Sequence, residues 1–376
     1  MSIVNKSKIT ILISPTKLCN LRCTYCYLSN SVKEDKTILS FSLLKKIIKR
    51  IITDNRKLKN LFIMWHGGEP LFVGLNFYKK VIIIEKKIEK EYNIKITNGI
   101  QTNGTLITSE FASFFKKNNF ECGISLDGPE YLNNKNRYYS NKKGSFTDTK
   151  KGIINLRNKK CKLSFLCIVT KEHIGKTKEL YNFYKSLSAR SIKFNSFFIT
   201  DLKSKELKRL SISAKEYNDF LIELFKLYIM DKNKIAVSPI DEIIRAIVYG
   251  KTKICAYSQD CAGHFLSVNP NGDVFYCNRL TTPDFKLGNL NINKFNNLIA
   301  KSKRKINKKD LSTSCLKCKF KLICWGGCPA IYYFSHNTST NHKDPHCLFK
   351  TFNYISKYLT KLKITKKSIV IPSTSL

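Results

Sequence analysis

The chain has 376 residues, of which 43% are hydrophobic and 12% aromatic, so it can bury a full core. Its 67 basic and 27 acidic residues give a formal net charge of +40. The lysines are spread over the whole chain, so the net charge is weak evidence for a dedicated nucleic-acid surface. An acidic peptide or protein partner is at least as compatible with this charge. No run reaches the roughly 18 apolar residues of a membrane span, and no signal peptide is indicated. We therefore expect a cytoplasmic protein that does not enter the membrane.

Short apolar runs typical of buried parallel strands alternate with Lys-rich amphipathic stretches of helical length. The predicted strands are 9–14, 61–66, 98–103, 122–127, 163–169 and 192–198. The predicted helices are 40–53, 76–92, 108–117, 147–158, 174–187 and 213–230. Successive strand–helix units predict an α/β fold with a parallel sheet. Because a complete TIM barrel has about eight units, the six found here indicate a partial (β/α)6 barrel.

The pattern changes after about residue 235. Residues 265–277 predict a hairpin around the turn at 269–272, and helices are predicted near 293–304 and 346–363. The segment 315–328 is dense in cysteine and shows little periodicity. We predict a barrel domain over 1–235, a smaller domain over 236–364 that depends on metal for its order, and a flexible tail over 365–376.

Three of the 14 cysteines, Cys19, Cys23 and Cys26, follow the first predicted strand. In a reducing compartment, clustered thiols indicate metal or redox chemistry, and active sites of parallel α/β folds lie at the carboxyl ends of strands. The spacing C-x3-C-x2-C can hold three corners of a four-iron cluster, which leaves the fourth iron open. Two plainer interpretations are a zinc site with a remote fourth ligand such as His66, and three unrelated core cysteines.

With Tyr25 as the aromatic residue before the third cysteine, this motif resembles that of the radical S-adenosylmethionine (SAM) superfamily. The resemblance implies that SAM chelates the fourth iron through its amino and carboxylate groups. It implies further that an electron from the cluster cleaves SAM to methionine and a 5′-deoxyadenosyl radical, which abstracts hydrogen from a substrate. An external electron donor such as a flavodoxin or a ferredoxin would then be needed.

The motif WHGGEP, residues 65–70, follows the second predicted strand. Its two glycines allow a close backbone approach, and we expect them to leave N–H groups free for a ligand. In the family this motif binds the methionine end of SAM, which implies Gly67, Gly68 and Glu69 as SAM contacts here.

The next two strands end in QTNGTLI, residues 101–107, and SLDGP, residues 125–129, which also match the family. By position, the resemblance implies that Ser125 and Arg137 contact polar groups of SAM and that the Phe198 backbone contacts its adenine. The plainer interpretations are a turn serine and a solvated arginine.

Eight later cysteines follow the spacing of a second known module. Ten residues separate Cys261 from Gly272 and four more precede Cys277, and C-x2-C-x5-C-x3-C then runs from Cys315 to Cys328. This pattern resembles the SPASM domain, which in the relatives most like this chain holds two auxiliary four-iron clusters. The resemblance implies two ligand sets, Cys255, Cys261, Cys277 and Cys328 for the first cluster and Cys315, Cys318, Cys324 and Cys347 for the second. Two structural zinc sites are the plainer alternative. The remaining cysteines, Cys122, Cys161 and Cys167, are expected in the core.

The layout over residues 9–350 resembles the anaerobic sulfatase maturases, which oxidise a Ser or Cys of a protein substrate to formylglycine. These carry an aspartate, the proposed base, directly after the cysteine equivalent to Cys277, whereas this chain has Asn278. An amide cannot accept the proton near neutral pH, so the departure weakens this interpretation and leaves the catalytic base unassigned.

We therefore predict a peptide or protein maturase that forms a thioether or carbon–carbon crosslink in a ribosomal precursor peptide, whose acidic leader would suit the basic surface. Formylglycine formation is the alternative. A non-catalytic iron–sulfur electron carrier and a nucleic-acid-binding protein are hypotheses of another class. The SAM-binding residues argue against both, because neither protein needs a SAM pocket.

Overall fold

The computed structural model describes residues 7–28, 35–252, 254–258, 261, 265–305, 310–336 and 343–362. The predicted tail over 365–376 lies outside these residues. The strands are β1 Lys8–Ile13, β2 Asn60–Trp65, β3 Lys95–Thr102, β4 Glu121–Ser125, β5 Leu163–Val169, β6 Ser191–Ser196, β7 Ala236–Ser238, β8 Ser267–Val268, β9 Asp273–Phe275 and β10 Lys286–Asn289.

The helices before the hairpin are α1 Phe41–Thr53, α2 Leu75–Tyr92, α3 Ser109–Lys117, α4 Glu130–Asn136, α5 Phe146–Asn158, α6 Thr177–Ser186, α7 Lys205–Leu210, α8 Ala214–Met230 and α9 Ile240–Tyr249. Those after it are α10 Phe295–Lys305, α11 Thr313–Leu316, α12 Lys321–Cys324, α13 Pro329–His336 and α14 Phe349–Lys361. None of these described helices combines the length and the apolar character needed to span a bilayer.

Contacts divide the chain into two compact units built from interleaved segments. The first unit contains 1–125, 137–162 and 262–306, and the second contains 126–136, 163–261 and 307–376. These interleaved units do not correspond to the predicted domains, so the predicted domain boundary near residue 235 stays a prediction.

The first unit contains a sheet in the order β10-β9-β8-β1-β2-β3-β4. Strands β1 to β4 are parallel neighbours, as predicted, and β8 and β9 form the predicted antiparallel hairpin. The sequence did not predict that β8 pairs in parallel with β1, where Leu12 lies opposite Ser267. This pairing brings the residues after β9 into the same unit as the three-cysteine loop.

Helix α1 shows how local sequence builds this unit. Ser40 begins the helix by accepting a hydrogen bond on its side chain from the Leu43 N–H, at 3.2 Å. One face of the helix is buried through five aliphatic side chains, Leu44, Ile47, Ile48, Ile51 and Ile52. Each such burial stabilises the fold by about 1.5–3 kcal/mol before the loss of chain entropy is considered. Half of the remaining positions are basic, namely Lys45, Lys46, Lys49 and Arg50.

The second unit contains parallel strands β5, β6 and β7. Helix α8 begins with a reciprocal capping box between Ser213 and Glu216. It packs against α14, where the Phe225 ring lies 5.2 Å from that of Tyr358, edge to face. This contact joins the strand-bearing part of the unit to its C-terminal cysteine region.

Candidate active site and cysteine-rich site

The three-cysteine loop of the first unit follows β1 and is held by the segment after Arg137. The Arg22 N–H donates to the Tyr138 carbonyl at 2.7 Å, and Leu21 forms an antiparallel bridge with Tyr139. The Arg22 guanidinium donates to the carbonyls of Cys19 and Leu21, both at 2.8 Å. The backbone of the loop is therefore fixed on both sides of Cys19 by this chain's own hydrogen bonds.

The glycines of the WHGGEP motif pack directly against residues 14–18, just before the cysteines. A Cβ on Gly68 would lie 2.2 Å from the Lys17 carbonyl oxygen, and one on Gly67 would lie 2.7 Å from that of Thr16. The motif therefore needs glycine in order to meet the cysteine loop.

The expectation that the glycine N–H groups are free is wrong. The Gly67 N–H donates to His66 Nδ1 at 2.7 Å, and the Gly68 N–H donates to the Thr16 carbonyl at 3.3 Å. For Gly68 the reason is the close packing, because a backbone held against another backbone satisfies its donors there, whereas the Gly67 N–H is satisfied by the neighbouring His66 side chain.

Glu69 is buried, with 1% of its surface exposed, and its carboxylate links the segment after β2 to the end of β3. It accepts hydrogen bonds from the N–H groups of Leu71 and Asn103, at 3.0 and 2.8 Å, and from the Thr102 hydroxyl at 2.6 Å. The Glu69 N–H donates to the Leu18 carbonyl at 2.8 Å. Burial raises the pKa of this carboxyl group to about 7, although the three donors oppose the shift.

The QTNGT segment also reaches the cysteine loop. Asn20 donates to the Thr105 hydroxyl at 2.8 Å and accepts from the Asn103 side chain at 2.9 Å. The Asn103 amide also lies 3.9 Å from the Cys19 sulfur. These amide and hydroxyl groups orient the first cysteine, and the sequence interpretation did not assign them a role.

Two residues predicted to contact SAM lie together in the first unit. The Arg137 guanidinium carbon is 5.5 Å from the centre of the Tyr25 ring, within cation–π range. Arg137 is buried, so it is not the solvated arginine of the plainer interpretation. Ser125 lies at the end of β4, and its hydroxyl accepts from the Gln101 amide at 2.8 Å. Predicted contacts of these residues with SAM stay predictions.

In the second unit, the four cysteines of one predicted ligand set line a single cavity. Cys315, Cys318, Cys324 and Cys347 share it with aromatic side chains that include Tyr257, Phe320 and Phe352. They come from two short helices and from the segment before α14, so little regular structure fixes their positions. Four thiols around one cavity fit a closed four-cysteine cluster.

Buried polar side chains join the segments that carry these cysteines. The Asp344 carboxylate accepts hydrogen bonds from the N–H groups of Cys328 and His346, both at 2.8 Å. Asn218 of α8 donates to the Cys347 carbonyl at 2.8 Å and accepts from the Thr351 N–H at 2.9 Å. The sequence interpretation missed both Asp344 and Asn218, and a buried asparagine inside a helix has no local pattern that would reveal it.

Comparisons with known proteins agree with this geometry. A family model described as the radical SAM superfamily matches residues 13–184, and one described as an iron–sulfur cluster-binding domain, SPASM, matches residues 260–319. A cysteine-type anaerobic sulfatase-maturating enzyme of Clostridium novyi is 30% identical over 96% of this chain and 98% of its own length. The chain belongs to the radical SAM enzymes that carry a SPASM domain.

Other relatives of this radical SAM enzyme support the same class. A serine-type anaerobic sulfatase-maturating enzyme of Bacteroides thetaiotaomicron is 29% identical over 85% of this chain and 82% of its own length. A solved structure of native anSMEcpe with bound AdoMet and the Cp18Cys peptide matches with a TM-score of 0.84 and 25% identity. That match covers 94% of this chain and 97% of anSMEcpe.

Streptococcus suis SuiB bound to S-adenosylmethionine has a TM-score of 0.63 at 16% identity, over 90% of this chain and 77% of SuiB, which supports the fold alone. The predicted fold class, an α/β partial barrel with a SPASM domain, is confirmed.

Two thiols of the cysteine loop, those of Cys19 and Cys26, have raised pKa values. Burial raises the pKa of Cys19, and the nearby Glu69 carboxylate raises it further. Burial also raises the pKa of Cys26, while Arg137 and Arg22 act in the opposite direction. At both thiols burial therefore favours the protonated form.

The zinc interpretation that used His66 receives no support from the geometry. Burial lowers the pKa of His66 to about 4, and its Nδ1 accepts the Gly67 N–H, so this ring nitrogen is not available to a metal. Among the described residues, no group of three His, Cys, Asp or Glu side chains is arranged to hold a single metal ion.

Asn278, the residue expected at the position of the maturase base, lies close to the three-cysteine loop. Its side-chain amide lies 3.4 Å from the hydroxyl oxygen of Tyr27, which directly follows Cys26. Burial raises the pKa of Tyr27, and the adjacent Cys26 adds to the shift. A carboxamide and a neutral phenol therefore lie beside the three-cysteine loop, and the two residues are 251 positions apart in sequence.

Other predicted residues are placed as follows. Cys122 and Cys167 are buried core residues, as expected, and the half-buried Cys161 thiol lies 3.6 Å from the Ala112 carbonyl. Phe198 packs against Phe334 within the second unit, with ring centres 5.8 Å apart. Its predicted contact with adenine, and the ligand set of Cys255, Cys261, Cys277 and Cys328, stay predictions.

Proposed function

We propose that this radical SAM enzyme oxidises a side chain of a peptide or protein and that the product is a thioether or carbon–carbon crosslink in a precursor peptide. The observation that carries the proposal is the carboxamide of Asn278 beside the neutral phenol of Tyr27. Neither group can accept a proton near pH 7. Formylglycine formation needs such an acceptor next to the residue being oxidised, whereas a crosslink can lose its proton from a second side chain elsewhere.

The residues present fit the groups that this function requires. Cys19, Cys23 and Cys26 would hold a four-iron cluster with SAM at its open iron, and the backbone beside Gly67 and Gly68 would approach SAM closely. When bound, these groups supply the radical that removes a hydrogen atom. Arg137 and Tyr25 would form one charged, aromatic side of the SAM site. Loss of one further electron and one proton completes the removal of two hydrogens from the substrate.

Two auxiliary four-iron clusters, held by the two later cysteine sets, would receive that further electron. The four cysteines around one cavity in the second unit support one of these clusters. The three-cluster assignment requires about twelve irons per chain after anaerobic reconstitution. About four irons would instead limit the clusters to the three-cysteine loop.

Formylglycine formation is the second candidate, because relatives similar over most of the chain are sulfatase-maturating enzymes of both cysteine and serine type. The deciding experiment compares wild type with Asn278→Asp on sulfatase-type peptides that contain Cys or Ser, with dithionite as reductant. We expect Asn278→Asp to raise aldehyde formation by about 10²-fold, the lower end of the range for a restored general base. Asn271→Asp, the same chemical change in the turn of the same hairpin, should have no effect.

The crosslink is tested in parallel by mass spectrometry of a precursor peptide encoded beside the enzyme's gene. A loss of two hydrogens with a fragmentation gap between the joined residues supports the proposal. Wild type that makes aldehyde as fast as Asn278→Asp would overturn it in favour of formylglycine formation.

A further inference from the structure

One buried carboxylate, that of Asp344, holds together two segments that carry cysteines of different predicted ligand sets. Asp344 is 7% exposed. One of its oxygens accepts from the Cys328 N–H and the other from the His346 N–H, both at 2.8 Å. Cys328 belongs to the first predicted set, and His346 directly precedes Cys347 of the second. A single side chain therefore fixes the backbone beside a predicted ligand of each auxiliary cluster.

The backbone around Asp344 leaves this side chain little room to move. The Asp344 N–H donates to the Gly326 carbonyl at 2.7 Å, which pairs its backbone with the turn after α12. Gly327, at φ +85°, faces the Asp344 side chain so closely that a Cβ on Gly327 would lie 2.2 Å from that of Asp344. Glycine is therefore required at this position, both for its backbone conformation and for its missing side chain. The carboxylate is held against the turn by its own backbone as well as by its oxygens.

Asp344 also lines the cavity of the four cysteines Cys315, Cys318, Cys324 and Cys347. Burial raises the pKa of Cys347, and the charge of Asp344 raises it further, whereas the charge of Lys343 opposes the shift. Burial likewise raises the pKa of Tyr257, another residue at this cavity, and Tyr217 and Asp344 add to that shift. Among the ion pairs between described residues, none involves Asp344. Its negative charge therefore acts on the cavity with little screening by water.

We infer that Asp344 is a positioning residue for both auxiliary clusters, which fixes the segments of Cys328 and Cys347 and, through its negative charge, disfavours reduction of the cluster in the four-cysteine cavity. The inference rests on the auxiliary clusters of the proposed function. A buried negative charge beside a cluster stabilises the oxidised form, because reduction adds a further negative charge. The step concerned is the uptake of one electron by the oxidised cluster, from the substrate radical during turnover and from dithionite in a titration.

The test measures the auxiliary clusters in a full-length parent protein whose three loop cysteines, Cys19, Cys23 and Cys26, are replaced by alanine. Anaerobic reconstitution should leave about eight irons per chain, and a potentiometric titration followed by electron paramagnetic resonance reports the reduction of each cluster. Asp344→Asn removes the charge at nearly constant size, whereas Asp344→Glu keeps the charge and both acceptor oxygens. The matched control is Asp219→Asn, which removes the same charge at an exposed position of α8.

We expect Asp344→Asn to raise the equilibrium constant for one-electron reduction of the cavity cluster at least about tenfold, which is a shift of about 59 mV to higher potential. Asp344→Glu and Asp219→Asn should both stay within about twofold of the parent protein, since one keeps the charge and the other removes a charge that water screens. Because Asp344→Asn has only one acceptor oxygen, a chelator should also remove iron from both auxiliary sites faster than in the parent protein.

An unchanged reduction constant in Asp344→Asn would overturn the inference even if iron were lost faster, because a merely structural role predicts the faster loss alone. If Asp344→Asn fails to hold about eight irons and Asp344→Glu recovers them, the inference is supported. A loss of only about four irons would limit the role to one site and overturn it. Equal loss in Asp344→Glu would also overturn it, because the side chain would then be needed for its fit rather than for its charge.

The titration needs neither SAM nor peptide, so its result does not depend on the product that the enzyme forms. A parent protein that binds no iron would overturn the auxiliary clusters of the proposed function, and this inference with them. A parent protein with about eight irons whose potentials do not respond to Asp344→Asn would overturn this inference alone.

Discussion

The two cysteine regions of this enzyme are built in opposite ways. The three-cysteine loop of the first unit follows a buried strand and is fixed by hydrogen bonds from Arg22, Asn103 and the WHGGEP backbone. The four-cysteine cavity of the second unit is built from α11 and α12, which have four residues each, and from the segment before α14. A region that must leave one iron open for a substrate needs a preformed frame, whereas a closed cluster can itself hold short segments together.

The largest expected effect separates the roles of the two regions. Cys23→Ala should abolish SAM cleavage, by at least roughly 10³-fold, because the cofactor carries the radical chemistry. Cys318→Ala should retain most SAM cleavage but lose the oxidised peptide product. Each variant should lose about four irons. The measurements are 5′-deoxyadenosine by chromatography, product by mass spectrometry and iron by assay. Equal loss of SAM cleavage in both variants would contradict separate roles for the two cysteine regions.

Iron removal should reveal the difference in local order. Short helices of four residues are not stable alone, so chelation should speed amide exchange in residues 313–328 by about tenfold or more. Strands β1 to β4 should keep their protection, because their pairing and burial do not involve iron. Hydrogen exchange by mass spectrometry checks this. Protection lost equally in the strands would mean that both units depend on iron.

Glycine substitution tests whether the frame of the three-cysteine loop is sterically required. Gly68→Ala should cost about 2–4 kcal/mol of unfolding free energy and weaken SAM binding, because the new Cβ would lie 2.2 Å from the Lys17 carbonyl oxygen. The control is Gly250→Ala, at a helix end with φ +66° and nothing within 4 Å, which should cost only ~1 kcal/mol. Urea unfolding and SAM titration give both values, and equal costs would remove the steric argument.

The buried carboxyl group of Glu85 should make the first unit less stable at high pH. Its oxygen accepts from Asn98 at 2.7 Å, and burial raises its pKa to about 8, above the unfolded value of 4.5. The unfolded chain therefore loses this proton first, and stability falls between about pH 4.5 and 8, by roughly 2–5 kcal/mol in total. Glu85→Gln keeps the hydrogen bond and should flatten this dependence in urea unfolding from pH 5 to 9. An unchanged profile would exclude Glu85 as the cause.

The smallest effect has the opposite sign and belongs to the second unit. The ion pair with Lys171 and the capping box lower the pKa of Glu216 to about 2. Its stabilisation is therefore complete above the unfolded pKa and is lost as the pH falls towards 2. Glu216→Gln should cost about 0.5–1 kcal/mol at pH 7, since the group is partly exposed, and nothing near pH 2. A cost that does not change with pH would argue for packing instead.

Most of the longer strands and helices could be predicted from the sequence, because they contain enough residues to show a local pattern. The first six strands were predicted to within a few residues, because each carries buried apolar side chains at consecutive or alternating positions. The three-residue strand β7 and the seven-residue helix α4 were missed, since neither contains enough residues to show a period. The pairing of β8 with β1 was also missed, because register between distant segments leaves no local signal.

In the candidate sites, too, local sequence patterns could be predicted and contacts between distant residues could not. The cysteine spacings predicted three clusters, because a metal centre needs particular ligands at particular separations. The supporting contacts could not be predicted, because the residues that form them are far apart in the sequence. Asn278 and Tyr27 are separated by 251 positions, and Asn218 and Cys347 by 129 positions. The WHGGEP motif was located correctly, but its glycine N–H groups bind the chain itself. Sequence spacing predicted the ligands, and only the folded chain showed which residues contact the segments that carry them.

Transfer of deuterium from substrate to SAM-derived product tests the central claim most directly. The reconstituted enzyme is incubated with SAM, dithionite and a precursor peptide deuterated at the side chain to be modified, with Cys23→Ala as the control. We expect 5′-deoxyadenosine that carries one deuterium in wild type, and no 5′-deoxyadenosine in the variant. Formation of 5′-deoxyadenosine without deuterium, together with an oxidised peptide, would contradict direct hydrogen abstraction by the radical made at the three-cysteine loop.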